Sequence, residues 1–118
     1  MPSANKQVSS IRASTIIGAG ISSPTGESIG NVQELIIDDQ SEELLFAVVS
    51  FGAAIVANDN YYPVPWRTLE RDEENGSYMV PFTRDQLGDA PSGSMQDMTD
   101  KNGGQLRDAA QEFYRSLV

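Results

Sequence analysis

The sequence predicts an all-β (mainly β) fold: a small β-barrel of short strands followed by one C-terminal amphipathic α-helix. Three observations predict it. Short runs rich in Ile, Val, Leu and Phe are separated by clusters of Gly, Pro, Asn, Asp and Ser, the punctuation of strands and turns. Asn75-Gly76, between two such runs, is the strongest short hairpin signal. A helical period enters only near the end, where Leu106, Ala109, Ala110, Phe113, Tyr114 and Leu117 recur at steps of three, four and seven.

Taken in order, residues 1–11 read as a small, polar, disordered lead-in. Residues 12–17, ending in Thr15, Ile16 and Ile17, read as a first strand stopped by Gly18 and Gly20. Ser23-Pro24-Thr25-Gly26 is a turn, with Pro presetting one backbone angle. Residues 28–38 read as the second strand. The spacing of Ile29, Val32, Leu35 and Ile36 also suits a helix, but β-branched content and nearby glycines favour a strand, with Gly30 marking a bulge. After the polar turn Asp38-Asp39-Gln40-Ser41, residues 44–49 are apolar throughout, as expected of a strand at the centre of a barrel.

Residues 51–60 read as a loop with one short strand at 53–56. Tyr61 to Trp66 is extended, because Pro63 and Pro65 hold their predecessors out of the helical region. Tyr61 and Tyr62 then point to opposite faces, so one is expected at the surface, whereas Trp66 is expected to close the barrel. Residues 69–72 and 77–81 form a hairpin around Glu74-Asn75-Gly76-Ser77. Residues 83–87 form one helical turn, capped by Thr83 with Gln86 three residues on. Residues 88–104 read as a linker or loose strap. The final helix, 105–118, is too short to be stable alone and has to pack on the barrel, on a copy of itself or on a partner. The organisation is therefore lead-in 1–11, β domain 12–87, linker 88–104 and helix 105–118, since 118 residues bury one modest core.

Charge narrows the function. Against 17 Asp and Glu stand 8 Lys and Arg, a net charge of −9. Such a chain repels phosphate backbones and anionic membranes, so no direct nucleic-acid partner and no membrane insertion are expected. A basic protein surface remains a suitable partner. The first ten residues carry no signal pattern, and the longest apolar run, 44–49, is too short to cross a bilayer, which leaves a cytoplasmic location as the expectation.

Chemistry is narrowed further. With no cysteine and no histidine, the chain lacks thiol nucleophiles, thiolate sites and the commonest general base. A catalytic serine would need a lysine, and the only lysines, Lys6 and Lys101, fall in segments read as flexible. The carboxylates group as Asp38, Asp39, Glu42 and Glu43, as Asp72, Glu73 and Glu74, and as Asp97 and Asp100. None has the spacing of a calcium loop, so they read as solvated turns. No catalytic, cofactor-binding or metal-ligating residue is assigned, and no cofactor is expected.

Several stretches together resemble the PRC-barrel family. Gly26-Glu27-Ser28-Ile29-Gly30-Asn31-Val32, closing on Ile36-Ile37-Asp38, is similar to its opening, and Leu45-Phe46-Ala47-Val48-Val49 to its next strand. Tyr62-Pro63-Val64-Pro65-Trp66-Arg67-Thr68-Leu69 matches its proline–aliphatic–proline–tryptophan segment best. Gly76-Ser77-Tyr78-Met79-Val80, Thr83-Arg84-Asp85-Gln86-Leu87 and Ala90-Pro91 are similar to the tail of stand-alone bacterial members. Residues 53–60 depart from the pattern, having no glycine-rich turn with a lysine. The resemblance, over roughly residues 12 to 92, implies a barrel of about six strands. It also implies a non-enzymatic module of the kind found in the photosynthetic reaction-centre H subunit and in ribosome maturation factors.

The functional expectation is a protein-interaction or assembly module of unidentified partner, forming a homodimer or larger homo-oligomer. Its candidate interface residues are Phe113, Tyr114, Leu117 and Leu106 on the helix, with Tyr62 on the extended segment. The alternatives are a small-ligand or metal-ion binding domain, and an acidic accessory factor for a basic protein such as a ribosomal one.

Overall fold

The computed structural model describes residues 10–52, 60–99 and 103–117. In chain order the elements are α1 (Ala13–Ile16), β1 (Gly20–Ser22), β2 (Ser28–Ile37), β3 (Leu44–Phe51), β4 (Tyr62–Pro65), a 3-10 turn (Trp66–Thr68), β5 (Glu70–Asp72), β6 (Ser77–Met79), α2 (Arg84–Leu87), a second 3-10 turn (Gln96–Met98) and α3 (Gly103–Leu117). The strands make one sheet in the order β4-β3-β2-β1-β6-β5. Every pair is antiparallel except β1 with β6, which runs parallel and ties the first strand to the last.

β2 and β3 are the spine. Ile29, Val32 and Ile36 of β2 are buried, while Asn31, Gln33 and Glu34 are exposed. A strict strand would bury every second residue. Here the register slips between Val32 and Glu34 against β3, and beside Gly30 against β1, where Ile21 pairs Gly30 and Ser22 pairs Ser28. Each slip inserts one residue and resets the alternation. The bulge expected near Gly30 is thus present. Glycine is required there for a second reason: a side-chain carbon on Gly30 would collide with the Ser50 carbonyl oxygen of β3. β3 buries Phe46, Ala47, Val48 and Val49 in succession, as its unbroken apolar run predicts. The core continues through Ile21, Val64, Tyr78 and Val80.

The turns follow local chemistry. Between β2 and β3, one Asp38 carboxylate oxygen accepts from the backbone N–H of Gln40 at 2.9 Å and of Ser41 at 3.4 Å. Those two N–H groups, with Arg107 adding its charge, hold the Asp38 carboxyl below the usual carboxylate range. The β5–β6 hairpin closes through Gly76, at φ +67, with Asp72 accepting from the N–H of Glu74 and Asn75. At α2 the predicted capping box forms: Gln86 N–H donates to Thr83 Oγ1 at 3.3 Å, and Thr83 N–H donates to Gln86 Oε1 at 2.9 Å.

The structure corrects one expectation about the sheet's first element. Residues 12–17 are not a strand: Ile17 N–H donates to Ala13 carbonyl oxygen at 3.0 Å, closing a helical turn that buries Ile16. Pairing starts only afterwards, where Gly18 N–H donates to Val32 and Val32 N–H to Ala19. One buried isoleucine outweighs the strand preference of Thr-Ile-Ile. The six strands curl into a half-barrel, consistent with the small β-barrel fold expected. Its end strands, β4 and β5, are joined by the Trp66–Thr68 turn and not by a ladder. Trp66 still serves closure, half-buried with its ring 5.5 Å from that of Tyr78 across the gap. The mainly β class with a C-terminal helix stands. The short strand expected at 53–56 lies outside the described residues, as do residues 1–9 of the lead-in.

Residues 88–99, read as linker, lie against the sheet. Gly93 exchanges two backbone hydrogen bonds with Tyr61, at 2.8 and 3.0 Å, and Ala90 and Met98 are buried. Arg107 of α3 donates to the Met98 carbonyl oxygen at 2.6 Å, joining this segment to the helix.

Candidate protein-interaction site

The helix residues singled out by the sequence converge on β4 of the same chain. Ala110 and Tyr114 are fully enclosed, and the Tyr114 ring lies 4.9 Å from that of Phe82. Tyr62, in β4, is 1 % exposed, with its ring 4.9 Å from that of Phe51. Tyr62 and Tyr114 therefore meet in the core, and neither ring lies at the surface. Tyr61 is the more exposed of the tyrosine pair, at intermediate burial. Leu106, Phe113 and Leu117 border this seam, half-buried. The Tyr114 hydroxyl is buried with no hydrogen-bond partner among the described residues, and desolvation, with Tyr62 adding to it, pushes its pKa far above the usual phenol value.

Helix, strap and prolines together finish the β4 end of the sheet. Pro63 and Pro65 have no N–H to offer a neighbouring strand. All four residues of β4 are buried.

The β5 end is built differently. β5 is three residues long, Glu70-Arg71-Asp72, and pairs only with β6. Among the described residues, no backbone hydrogen bond joins its outer edge to another segment. Alternate N–H and C=O groups of an edge strand point away from its partner, so this edge is an open half-ladder. Register fixes which side chains share a face. Glu70 opposes Met79, Asp72 opposes Ser77, and Ser22 of β1 pairs Met79. Tyr78 and Ile21 point into the core, so Ser22, Glu70, Asp72, Ser77 and Met79 stand together on the outer face.

The Ser23–Gly26 turn rises beside that face, closed by Gly26 N–H donating to the Ser23 carbonyl oxygen at 2.9 Å. Between turn and edge runs an open cleft of about 770 Å³, lined by Ser22, Pro24, Thr25, Gly26, Met79 and residues 69–72. Pro24, Leu69 and Met79 are its apolar lining residues, and its charge is concentrated on the β5 side, in Glu70, Arg71 and Asp72. Glu70, Asp72, Glu73 and Glu74 surround the single Arg71. Asp72 is committed to the turn, its second oxygen accepting from Asn75 Nδ2 at 2.8 Å.

A smaller cleft of about 410 Å³ at the β2–β3 turn is lined by Asp38 and Asp39 together with Arg107. Asp38 is occupied by its own turn, and Asp97 accepts from Ser94 N–H at 2.9 Å. Among the described residues, no group of three or more Asp and Glu is placed to hold a metal ion, and no helix is long and apolar enough to cross a membrane. Sequence reasoning did not single out the β5 edge as a site. Brevity and charge are among the ways natural sheets guard an edge, but a short charged run does not by itself say that it lies at one.

Comparison with known proteins places the chain in a family. The family model described as PRC-barrel domain matches residues 9–87, which spans every strand of the sheet, and the chain belongs to that family. A search of curated proteins finds no match. Membership supports a protein-interaction role and leaves the partner open.

Proposed function

From its place among PRC-barrel proteins, we propose that this chain is a non-catalytic interaction module that works in assembly and meets its partner at the β5 end of the sheet. The observation that carries the reading is the contrast between the ends. β4 is covered by the chain itself, while β5 keeps an open backbone edge, among the described residues, beside a cleft of about 770 Å³. The strong negative charge favours a basic partner surface. A cytoplasmic setting belongs to the same reading.

Site-specific photo-crosslinking in the native cell tests it. A crosslinking residue at Glu70 is expected to trap one defined protein, and the same residue at Glu112, on the exposed side of α3, is expected not to. A partner trapped only from Glu112 moves the site to the helix, and no specific adduct from either position defeats the module reading.

A homodimer is the second reading, favoured by the half-buried rim of Leu106, Phe113 and Leu117 along the helix seam. It predicts a doubled mass by light scattering that Phe113→Asp with Leu117→Asp returns to monomer. A wild-type monomer at micromolar concentration removes it.

A further inference from the structure

We propose that the β5 edge takes up an extended basic segment of another protein as an added strand, with Lys or Arg at two alternating positions. This rests on the reading of the chain as an interaction module and names the chemistry of the partner.

The backbone supplies the first argument. Among the described residues, β5 has no strand neighbour beyond β6, so its outward N–H and C=O groups can form the main-chain ladder by which extended peptides bind sheet edges. Its side chains face solvent or the adjoining cleft, and no segment of the described chain covers them.

Charge and symmetry then choose the occupant. In an antiparallel pair, hydrogen-bonded and non-bonded residue pairs alternate, so a twofold axis has to pass through a residue facing its own copy. Within this strand the possible centres are Glu70, Arg71 and Asp72. Each sets a like charge against itself: Glu70 on Glu70, Arg71 on Arg71, or Asp72 on Asp72. The Arg71-centred register also sets Glu70 against Asp72. Like charges directly opposite destabilise a pair, so the edge disfavours a second copy of this chain. A foreign strand carrying a base opposite Glu70 and another opposite Asp72 meets two complementary pairs on one face. Opposite Arg71 it places an apolar or acidic residue on the other face. Glu73 and Glu74, exposed in the adjoining turn, extend the negative field along the strand's path.

The test is binding of a short fluorescent peptide of alternating lysine and valine to the full chain, read by anisotropy and by backbone amide NMR. Two further peptides carry N-methyl groups on one or the other alternating set of amides. Strand addition predicts that one methylated peptide loses at least about tenfold in affinity, the equivalent of two lost backbone hydrogen bonds, while the other stays within about twofold. Amide shifts are expected at Glu70, Arg71 and Asp72. Glu70→Lys with Glu73→Lys should weaken binding by about tenfold or more, and Asp39→Lys with Glu43→Lys, on the remote β2–β3 turn, should not. Equal binding of both methylated peptides means attraction by charge alone and overturns the proposal. So do shifts centred on another element, absence of binding, or a mass that doubles with the β5 amides protected before peptide is added. If the Glu70→Lys, Glu73→Lys variant still captures the wild-type chain's cellular partner, the edge proposal fails while the module reading survives. If the wild-type chain captures none, the module reading fails.

Discussion

At β4, three separate devices act on and beside one short strand: Pro63 and Pro65 remove donors, Gly93 takes both backbone polar groups of the preceding Tyr61, and α3 packs against it. At β5, the strand has three residues, no cover from the described residues, and four carboxylates in and beside it. Both arrangements keep a sheet edge from random pairing, since proline, cover, brevity and charge are all known deterrents. They differ in what they leave possible. Covering an edge with the chain's own apolar groups adds core and stability but excludes any partner. Guarding it with charge adds almost nothing to stability and keeps the ladder available to a strand of opposite sign. The same problem, solved twice in one small sheet, separates a structural end from a binding end.

The largest test of that contrast puts a charge into the covered end. Ala110 is fully enclosed between α3 and the sheet, so Ala110→Asp buries a carboxylate with no partner. A loss of about 3–5 kcal/mol in denaturant unfolding is expected. Replacing the exposed Arg71 by Ala should change the unfolding free energy by less than about 0.5 kcal/mol. Comparable losses at the two sites would show that β5 is as much a part of the stability as β4, and the division would fail.

Next in size is Gly30→Ala, in the spine between the two ends. The new methyl would meet the Ser50 carbonyl oxygen and the Phe51 ring, so β2 and β3 must move apart. The expected cost is about 1–3 kcal/mol. Because both ends hang on this pair, hydrogen exchange should quicken in β4 and β1 together. Faster exchange confined to one side would mean that the spine does not couple them. A smaller effect is expected at the hairpin tip. Gly76 sits at φ +67, a left-handed conformation that costs an L side chain about 1–2 kcal/mol, so Gly76→Ala should lower stability by about 1 kcal/mol. It should also loosen the binding edge, which raises exchange at the Arg71 amide without touching α3.

How much of this was legible in the residues depends on whether the deciding contact was local. The capping box at Thr83 and Gln86, the Asn75-Gly76 hairpin and the buried run of β3 were readable, because each is set by neighbours in the chain. The family and the mainly β class came from the order of such pieces. β2 looked partly helical for a physical reason: its bulges put Ile29, Val32 and Ile36 at steps of three and four, which imitates a helix face. The turn at Ala13–Ile16 was misread because one distant burial, that of Ile16, decided it. The β5 edge was not legible as a site. A run such as Glu70-Arg71-Asp72 is an edge only because β6 turns its other side to β1, a parallel pairing between Ile21 and Tyr78 far apart in the chain. The helix stripe was readable as apolar, but its target, β4, was not.

The finest test concerns the seam itself. Tyr114 brings its hydroxyl into the covered end without a hydrogen-bond partner, the one buried side-chain polar atom so left among the described residues. A donor stripped of water and unpaired costs free energy, so Tyr114→Phe, which keeps the ring contacts with Phe82 and Phe113, should be neutral or stabilise by up to about 1 kcal/mol. The same burial raises the hydroxyl pKa above its ordinary 10.0. The folded chain therefore keeps this proton at pH values where the unfolded chain has lost it. The Tyr114 contribution is fully present below about pH 10 and is lost as pH rises through the window above it, by up to about 1.4 kcal/mol per unit. Tyr114→Phe should remove one proton's worth of that alkaline slope in denaturant unfolding measured across the window. A variant that is clearly destabilised at neutral pH, or one whose alkaline slope matches wild type, would mean that the hydroxyl has water or a partner. In that case the seam between α3 and β4 would be wetter than its packing indicates, and the covered end would be closer in character to the open one.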